Sequence, residues 1–294
     1  MDEDLEKIKK AGRIAAESLS YGKTLIKEGA SIKEIIEKIE KKIASLNGKP
    51  AFPPQISINE VAAHFIPDTD LVLNEGNLIR IDLGAHIDGF IADTAMTVEV
   101  KTNNNKELIA ASSEALDNAI KIINKDTKIY EVGKVIEETI KKFNFKPITN
   151  LSGHSINTYN LHSGLTIPNY NNNNQNKLGN CLIAIEPFAT NGIGLVQEGK
   201  SSNVYKLVNI KPVRDKNTRL ILEFIEKEYS TLPFSKFWLI KKFGSISNYA
   251  INILERENIL YSYPQLVEKG KGLVSQAEHT VYIGDKVIVS TIRD

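Results

Sequence analysis

Leu78-Ile79-Arg80-Ile81-Asp82-Leu83-Gly84-Ala85-His86-Ile87-Asp88-Gly89-Phe90-Ile91-Ala92-Asp93-Thr94-Ala95-Met96-Thr97-Val98-Glu99-Val100 is the stretch on which the fold turns. Ile79, Ile81 and Leu83 alternate with Arg80 and Asp82, Thr94 to Val100 is β-branched and alternating, and Asp88-Gly89 supplies the turn chemistry of a hairpin. A hairpin centred between Ile87 and Asp88 sets Asp82 directly opposite Asp93. Facing residues carry Cβ atoms about 4.5–5.5 Å apart, where two like charges repel unless something positive lies between them. Two aspartates framed by Ile, Leu and Ala therefore ask for a cation. The plainer alternative is that one caps the turn and the other faces water. Asp88, at the tip, takes that plainer role, and further ligands decide the case for the other two.

Length and composition set the bounds. At 294 residues the chain is long enough for one large core, or for a core plus a subdomain. A net charge of +1 leaves no global pull towards nucleic acid or a membrane. The one cysteine, Cys181, excludes an internal disulfide and, inside an apolar run, reads as a buried structural thiol in a reducing compartment. Met1-Asp2-Glu3-Asp4 is acidic and leads straight into a helical pattern, with no apolar leader and no long apolar span. A soluble, cytoplasmic protein is expected.

Apolar residues recur at three- and four-residue spacing from Leu5 to Ile26, which predicts an amphipathic helix. A second helix starts at Ser31, with Glu34 completing a capping box, carries Ile32, Ile35, Ile36, Ile39 and Ile43, and stops at Gly48. After the 78–100 stretch, further helices are predicted from Leu108 to Ile123 and from Ile129 to Phe143. Sliding the chain by 97 residues puts Ile32 on Ile129, Glu34 on Glu131, Ile39 on Ile136 and Ile43 on Ile140. Such self-similarity suggests two related halves with a site between them. Asn169 to Asn180 has no periodicity and reads as an exposed loop that buries too little apolar surface to order itself. Cys181 to Ala189 reads as a strand, residues 199–263 as a helical insert, and Gly272 to Thr291 as a return to strands.

Asp82, Asp93, His154, Glu186 and Glu278 are potential metal ligands, four of them in apolar, strand-like runs. Four carboxylates brought together without cations would be prohibitive, because buried charges must be paired or metal-bound. Two divalent ions balance four negative charges and lower the pKa of a bound water towards neutrality. A carboxylate and imidazole set suits Co²⁺, Mn²⁺, Fe²⁺ or Zn²⁺.

The order Asp, Asp, His, Glu, Glu, in the strings Ile81-Asp82-Leu83-Gly84, Ala92-Asp93-Thr94-Ala95, Gly153-His154-Ser155-Ile156, Ile185-Glu186-Pro187-Phe188 and Glu278-His279-Thr280, resembles the type II methionine aminopeptidases. The likeness covers essentially the whole chain, is similar to the archaeal form, and includes an insert at Thr231-Leu232-Pro233-Phe234 through Trp238-Leu239. It implies an α+β pita-bread fold, with two pseudo-symmetric α/β halves around a curved antiparallel sheet. The implied catalytic domain spans 1–198 and 264–294, with a helical insert subdomain at 199–263.

By the same resemblance Asp82 chelates one metal, Asp93 and Glu278 bridge both, and His154 and Glu186 hold the other. His64 contacts substrate near the scissile peptide, and His162 donates to the scissile carbonyl. Glu186 relays a proton to the departing amine, and Phe52 and Leu161 shape an apolar slot for the methionine side chain. The implied reaction removes an initiator methionine from nascent polypeptides, favouring a small second residue, in a cytoplasmic monomer. Transient contact with the ribosome fits that task, although no residue marks it, and no nucleic acid or membrane is required. His86 and His279 carry no catalytic expectation.

Two other readings stay open at this level. A prolidase or Pro-specific aminopeptidase shares such a ligand set, but those relatives usually carry a separate N-terminal domain. The residues before Asp82 are already committed to helices and a strand. A non-catalytic relative would keep the fold to bind RNA or growth-control partners. Relatives of that kind typically lose ligands, and all five are present here.

Overall fold

The computed structural model describes residues 2–293; Met1, at the head of the acidic N-terminus, and Asp294 lie outside the described residues. Two helices open the chain, α1 (Asp2–Leu25) and α2 (Ile32–Ser45). Ser31 caps α2 by accepting from the Glu34 N–H at 3.2 Å, and all five isoleucines of its stripe are buried. Asn47, in the left-handed region at φ 61, turns the chain off the helix one residue before Gly48. Strands β1 (Lys49–Ile58), β2 (Val61–Ala63), β3 (Leu78–Ile87) and β4 (Phe90–Glu99) follow.

The β3–β4 hairpin is centred one residue later than the sequence suggested. Ile87 pairs with Phe90, so Asp82 faces Ala95 and Asp93 faces Gly84. The loop is Asp88-Gly89, whose φ angles of 51 and 85 suit a two-residue turn with both positions left-handed. A displacement of the pairing by two preserves the pleat, so the two aspartates stay on one face as diagonal neighbours.

Helices α3 (Lys106–Ile122) and α4 (Ile129–Lys142) come next. Both bounds of α4 lie 97 residues beyond those of α2, and Asn144 ends α4 at φ 61, as Asn47 ends α2. The second half adds β5 (Lys146–Pro147), β6 (Ser152–Ser155), β7 (Thr166–Pro168), β8 (Cys181–Ile185) and β9 (Phe188–Thr190). The run read as one strand from Cys181 to Ala189 is thus two, broken at Glu186-Pro187, because proline has no N–H for the ladder.

The asparagine-rich segment is also not the loose loop expected. The side-chain oxygens of Asn171, Asn172 and Asn174 each accept from the backbone N–H two residues on, at 3.0 Å. The carbonyls of Asn174 and Asn176 accept from Tyr130 and Ile129 in the first turn of α4. Local asparagine turns and free helix N–H groups order the segment where apolar burial would not.

The chain then runs through β10 (Val196–Leu207), α5 (Lys216–Tyr229), β11 (Phe234–Ser235), α6 (Lys236–Phe243), α7 (Ile246–Arg256) and β12 (Leu260–Glu268). It closes with β13 (Val274–Gln276), β14 (Glu278–Ile283) and β15 (Val287–Val289). An antiparallel sheet runs in the order β1-β3-β4-β14-β8-β6-β7, with β15 beside β14. One apolar core lies between α1, α2 and β1, β3, β4, and a second between α3, α4 and β8, β14. A third fills the space among α5, α6, α7, β10 and β12. No described helix is long and apolar enough to cross a membrane.

Glu268, at the end of β12, is fully buried and accepts from four backbone N–H groups: Ile193 at 2.5 Å, Gly270 at 2.6 Å, Gly272 at 2.9 Å and Gly194 at 3.0 Å. These bonds lock the β9–β10 and β12–β13 connections together and outweigh burial, holding its pKa below the usual 4.5. Glu268→Gln removes an acceptor from at least one buried N–H and is expected to cost about 2 kcal/mol at pH 7, read by denaturant unfolding. The folded pKa is depressed, so the contribution is present above the unfolded pKa and lost as pH falls through the folded one. The gap between wild type and variant should therefore close on acidification below the ordinary glutamate range.

Candidate metal centre

Strand alternation delivers the ligand-type side chains to the face opposite the four helices. Ile79, Ile81 and Leu83 pack into the first core, which turns Asp82 the other way. Ala92 and Met96 do the same for Asp93 on β4. Ile183 and Ile185 pack in the second core, which turns Glu186, just past β8, to the open face. Val281 and Ile283 likewise leave Glu278 there. Side chains stitch β4 to β14 at this point. Thr280 Oγ1 accepts from the Asp93 N–H at 2.7 Å and donates to the Asp93 carbonyl at 2.8 Å, and Thr94 Oγ1 donates to the Glu278 carbonyl at 2.9 Å.

The result is a cavity of about 360 Å³ lined by Asp82, Asp93, His154, Glu186 and Glu278, with His64, His162, Phe52 and Leu161 on its walls. All nine residues singled out in the sequence therefore border one space. Ligand atoms of Asp93, His154 and Glu278 lie within 4.8 Å of one another. His154 Nε2 stands 3.7 Å from Asp93 Oδ2 and 3.8 Å from Glu186 Oε1.

Burial first, and mutual repulsion second, push Asp93, Glu186 and Glu278 well above the ordinary carboxylate range. Burial alone pushes Asp82 up to about 7. Arg80 points to the same face as Asp82, yet its buried guanidinium donates to the carbonyls of Val61 and Val274 and offers these carboxylates nothing. Arg293 eases Glu278 slightly. One oxygen each of Asp82, Asp93 and Glu278 is buried without a hydrogen-bond partner. Orphaned acceptors in a negative cavity fit divalent cations, which would satisfy the lone pairs and the charge together.

The histidines are neutral. Burial pushes His154 down to about 4 and lowers His64 as well. His64 sits at φ 59, a region sparsely populated by non-glycine residues, and its backbone N–H donates to Gln55 Oε1 at 2.7 Å. Its Nδ1 lies 3.1 Å from the Pro264 carbonyl, which only accepts, so Nδ1 carries the proton and Nε2 offers a lone pair. His162 is exposed on one side and meets His154 edge to face at 4.4 Å on the other. Surrounding protein first, then its neighbours His154, His64 and Lys206, lower its pKa. His86 accepts from the Gly89 N–H at 3.1 Å beneath the hairpin turn, and His279 pairs with Thr291 Oγ1 at 2.8 Å, both away from the cavity. Burial pushes the Cys181 thiol up to about 11, so it is no nucleophile at neutral pH.

Sequence reasoning missed Gln276. Its amide nitrogen lies 3.4 Å from an oxygen of each of Asp82, Glu186 and Glu278, spanning three of the four carboxylates. Its place two residues before Glu278 in an alternating run was the available signal. Tyr263, edge to face with His64 at 5.1 Å, was likewise unmarked.

The family model of metallopeptidase family M24 matches residues 6–221. The methionine aminopeptidase of Methanocaldococcus jannaschii is 43% identical over 294 residues, covering 99% of both chains, and that of Pyrococcus horikoshii is 44% identical over 98% of this chain and 99% of its own. This chain belongs to metallopeptidase family M24. The crystal structure of methionine aminopeptidase from Thermotoga maritima superposes with a TM-score of 0.72 at 22% identity, covering 100% of this chain and 98% of that one. The fold is accordingly the pita-bread fold of that family, with the carboxylate cluster on the open face of its sheet.

Carboxylates held above neutrality must shed protons to accept cations. Adding Mn²⁺ to metal-stripped protein at pH 7 is therefore expected to release protons, so that calorimetric heats change with the ionisation enthalpy of the buffer. Heats independent of buffer would contradict the raised carboxylate pKa values.

Proposed function

We propose that this protein removes the N-terminal methionine from polypeptides by metal-dependent hydrolysis. The observation that carries the reading is one cavity that joins four carboxylates and an imidazole of metal-ligand type to two further neutral histidines. Its family membership and its full-length similarity to methionine aminopeptidases support the reading. Asp82, Asp93, His154, Glu186 and Glu278 would hold two divalent ions. Mn²⁺, Fe²⁺, Co²⁺ and Zn²⁺ all suit this donor set. When bound, such ions lower the pKa of a coordinated water and polarise the scissile carbonyl.

The chain's own residues supply the rest. Phe52 and Leu161 are buried on the cavity wall and offer the methionine side chain an apolar slot. His64 Nε2, free to accept, takes a hydrogen bond from the scissile amide N–H. His162, neutral, donates to the carbonyl oxygen as charge develops there. Glu186, on the same cavity, takes a proton from the attacking water and passes it to the departing amine. A preference for a small second residue follows if the wall closes around it. The setting of such a task follows from its substrates: nascent polypeptides in the cytoplasm, met by a monomer in transient contact with the ribosome. Residues 199–263, which carry the third core and leave and return through the β10–β12 ribbon, act as an insert subdomain on the catalytic domain of 1–198 and 264–294.

Metal-stripped protein given Mn²⁺ or Co²⁺ should release free methionine from Met-Ala-Ser and leave Gly-Pro intact. Cleavage of Gly-Pro alone would favour a prolidase, and silence on both with metal bound would contradict the reading. His162→Ala should lower kcat by about 10²-fold while metal content, read by atomic emission, stays unchanged. Loss of metal in that variant would make His162 a ligand.

A further inference from the structure

We infer that Lys206 is a specificity-determining residue that receives a carboxylate on the substrate downstream of the scissile bond; the inference rests on the proposed removal of methionine. Residues of β10 alternate cleanly at this point. Tyr205 and Leu207 pack into the third core, while Val204 lines the cavity, so Lys206 shares the cavity-facing side. On β12 its pairing partner is Tyr261, two residues before Tyr263, which also lines the cavity. Lys206 and Tyr261 therefore extend the cavity wall by one residue pair, about 7 Å along the ribbon.

That extension lies towards the mouth. Of the nine residues singled out around the cavity, only His162 is exposed, and Tyr261 is 47% exposed. The positive charge of Lys206 also bears on His162, in accord with a place near the same opening. Lys206 is half-buried, and among the described residues it makes no hydrogen bond or ion pair. Lys7, Lys42, Lys49, Lys101 and Lys177, by contrast, each meet a carboxylate within 3.2 Å. A partly desolvated ammonium without a counter-ion gains most from an anion brought by a ligand.

A peptide whose first residue lies at the metal cluster leaves through this mouth, advancing about 3.3 Å per extended residue. Tyr263 stands edge to face with His64, placed at the scissile amide, so the Lys206–Tyr261 pair, about 7 Å further along, comes level with the third residue. The anion is either an acidic side chain at that position or the terminal carboxylate of a tripeptide, and one chemistry serves both.

The test compares kcat/KM of the metal-loaded full-length enzyme on two substrate pairs. Met-Ala-Asp-amide against Met-Ala-Asn-amide isolates the side chain, and Met-Ala-Gly against Met-Ala-Gly-amide isolates the chain end. The acidic member of at least one pair should be cleaved about fivefold more efficiently, as for a modest ion pair. In Lys206→Met and Lys206→Gln the ratio should fall to about one, and Lys206→Arg should restore it. A preference in the first pair alone assigns the side chain, and in the second alone the terminus. Equal cleavage within both pairs by wild type, or a preference that survives in Lys206→Met, overturns the inference and leaves the methionine reading standing. No methionine from any of the four overturns that reading and this inference with it.

Discussion

Four carboxylates share one cavity, among the described residues no Lys or Arg makes an ion pair with any of them, and the rest of the structure is arranged around that constraint. Buried like charges of this kind repel and hold their protons unless cations enter. The protein relieves the repulsion only slightly from within, through Arg293 on Glu278 and the Gln276 amide. Arg80 lies on the right face of β3 and is fully buried, yet it is spent on two carbonyls. Gln276 reaches three of the carboxylates with one neutral amide, which orients them without cancelling their charge. The negative field is thus kept for the ligand, and divalent ions are the groups that fit it.

Holding such a cluster demands a rigid frame, and the frame is built twice. Helix α4 repeats α2 at a distance of 97 residues, down to the left-handed asparagine that ends each. In the central sheet β1, β3 and β4 run up to one side of the midline, and β6, β8 and β14 to the other. Each half buries its helices on one face and so turns its acidic residues to the opposite face. Asp93 and Glu278 lie on the two strands that meet in the middle, where Thr94 and Thr280 tie the strands together. Asp82 flanks them on β3, and Glu186 just past β8. The similarity to metallopeptidases of family M24 over the whole chain accords with this placement of the cluster between two related halves.

Much of this was legible because period-two alternation survives burial. The apolar residues of the 78–100 stretch gave the strand faces, and two aspartates on one face asked for a cation. The exact pairing was not legible, because the turn could sit at Ile87-Asp88 or Asp88-Gly89, and the pair of left-handed φ angles decides it. The break after Ile185 follows from Pro187, whose missing N–H was visible but whose effect on Glu186 was not drawn. The asparagine run misled because composition reports apolar burial and not side-chain to backbone hydrogen bonds. Gln276 was overlooked because a neutral amide carries no charge to flag it, although its spacing from Glu278 placed it on the ligand face.

The most direct test of the central claim is anomalous diffraction from crystals of the protein loaded with Mn²⁺, recorded at the manganese absorption edge. The account predicts two strong peaks in the cavity, both in contact with Asp93 and Glu278, one reached by Asp82 and the other by His154 and Glu186. A single peak would contradict the two-ion assignment. Peaks elsewhere with none in the cavity would contradict the reading of these carboxylates as a metal centre.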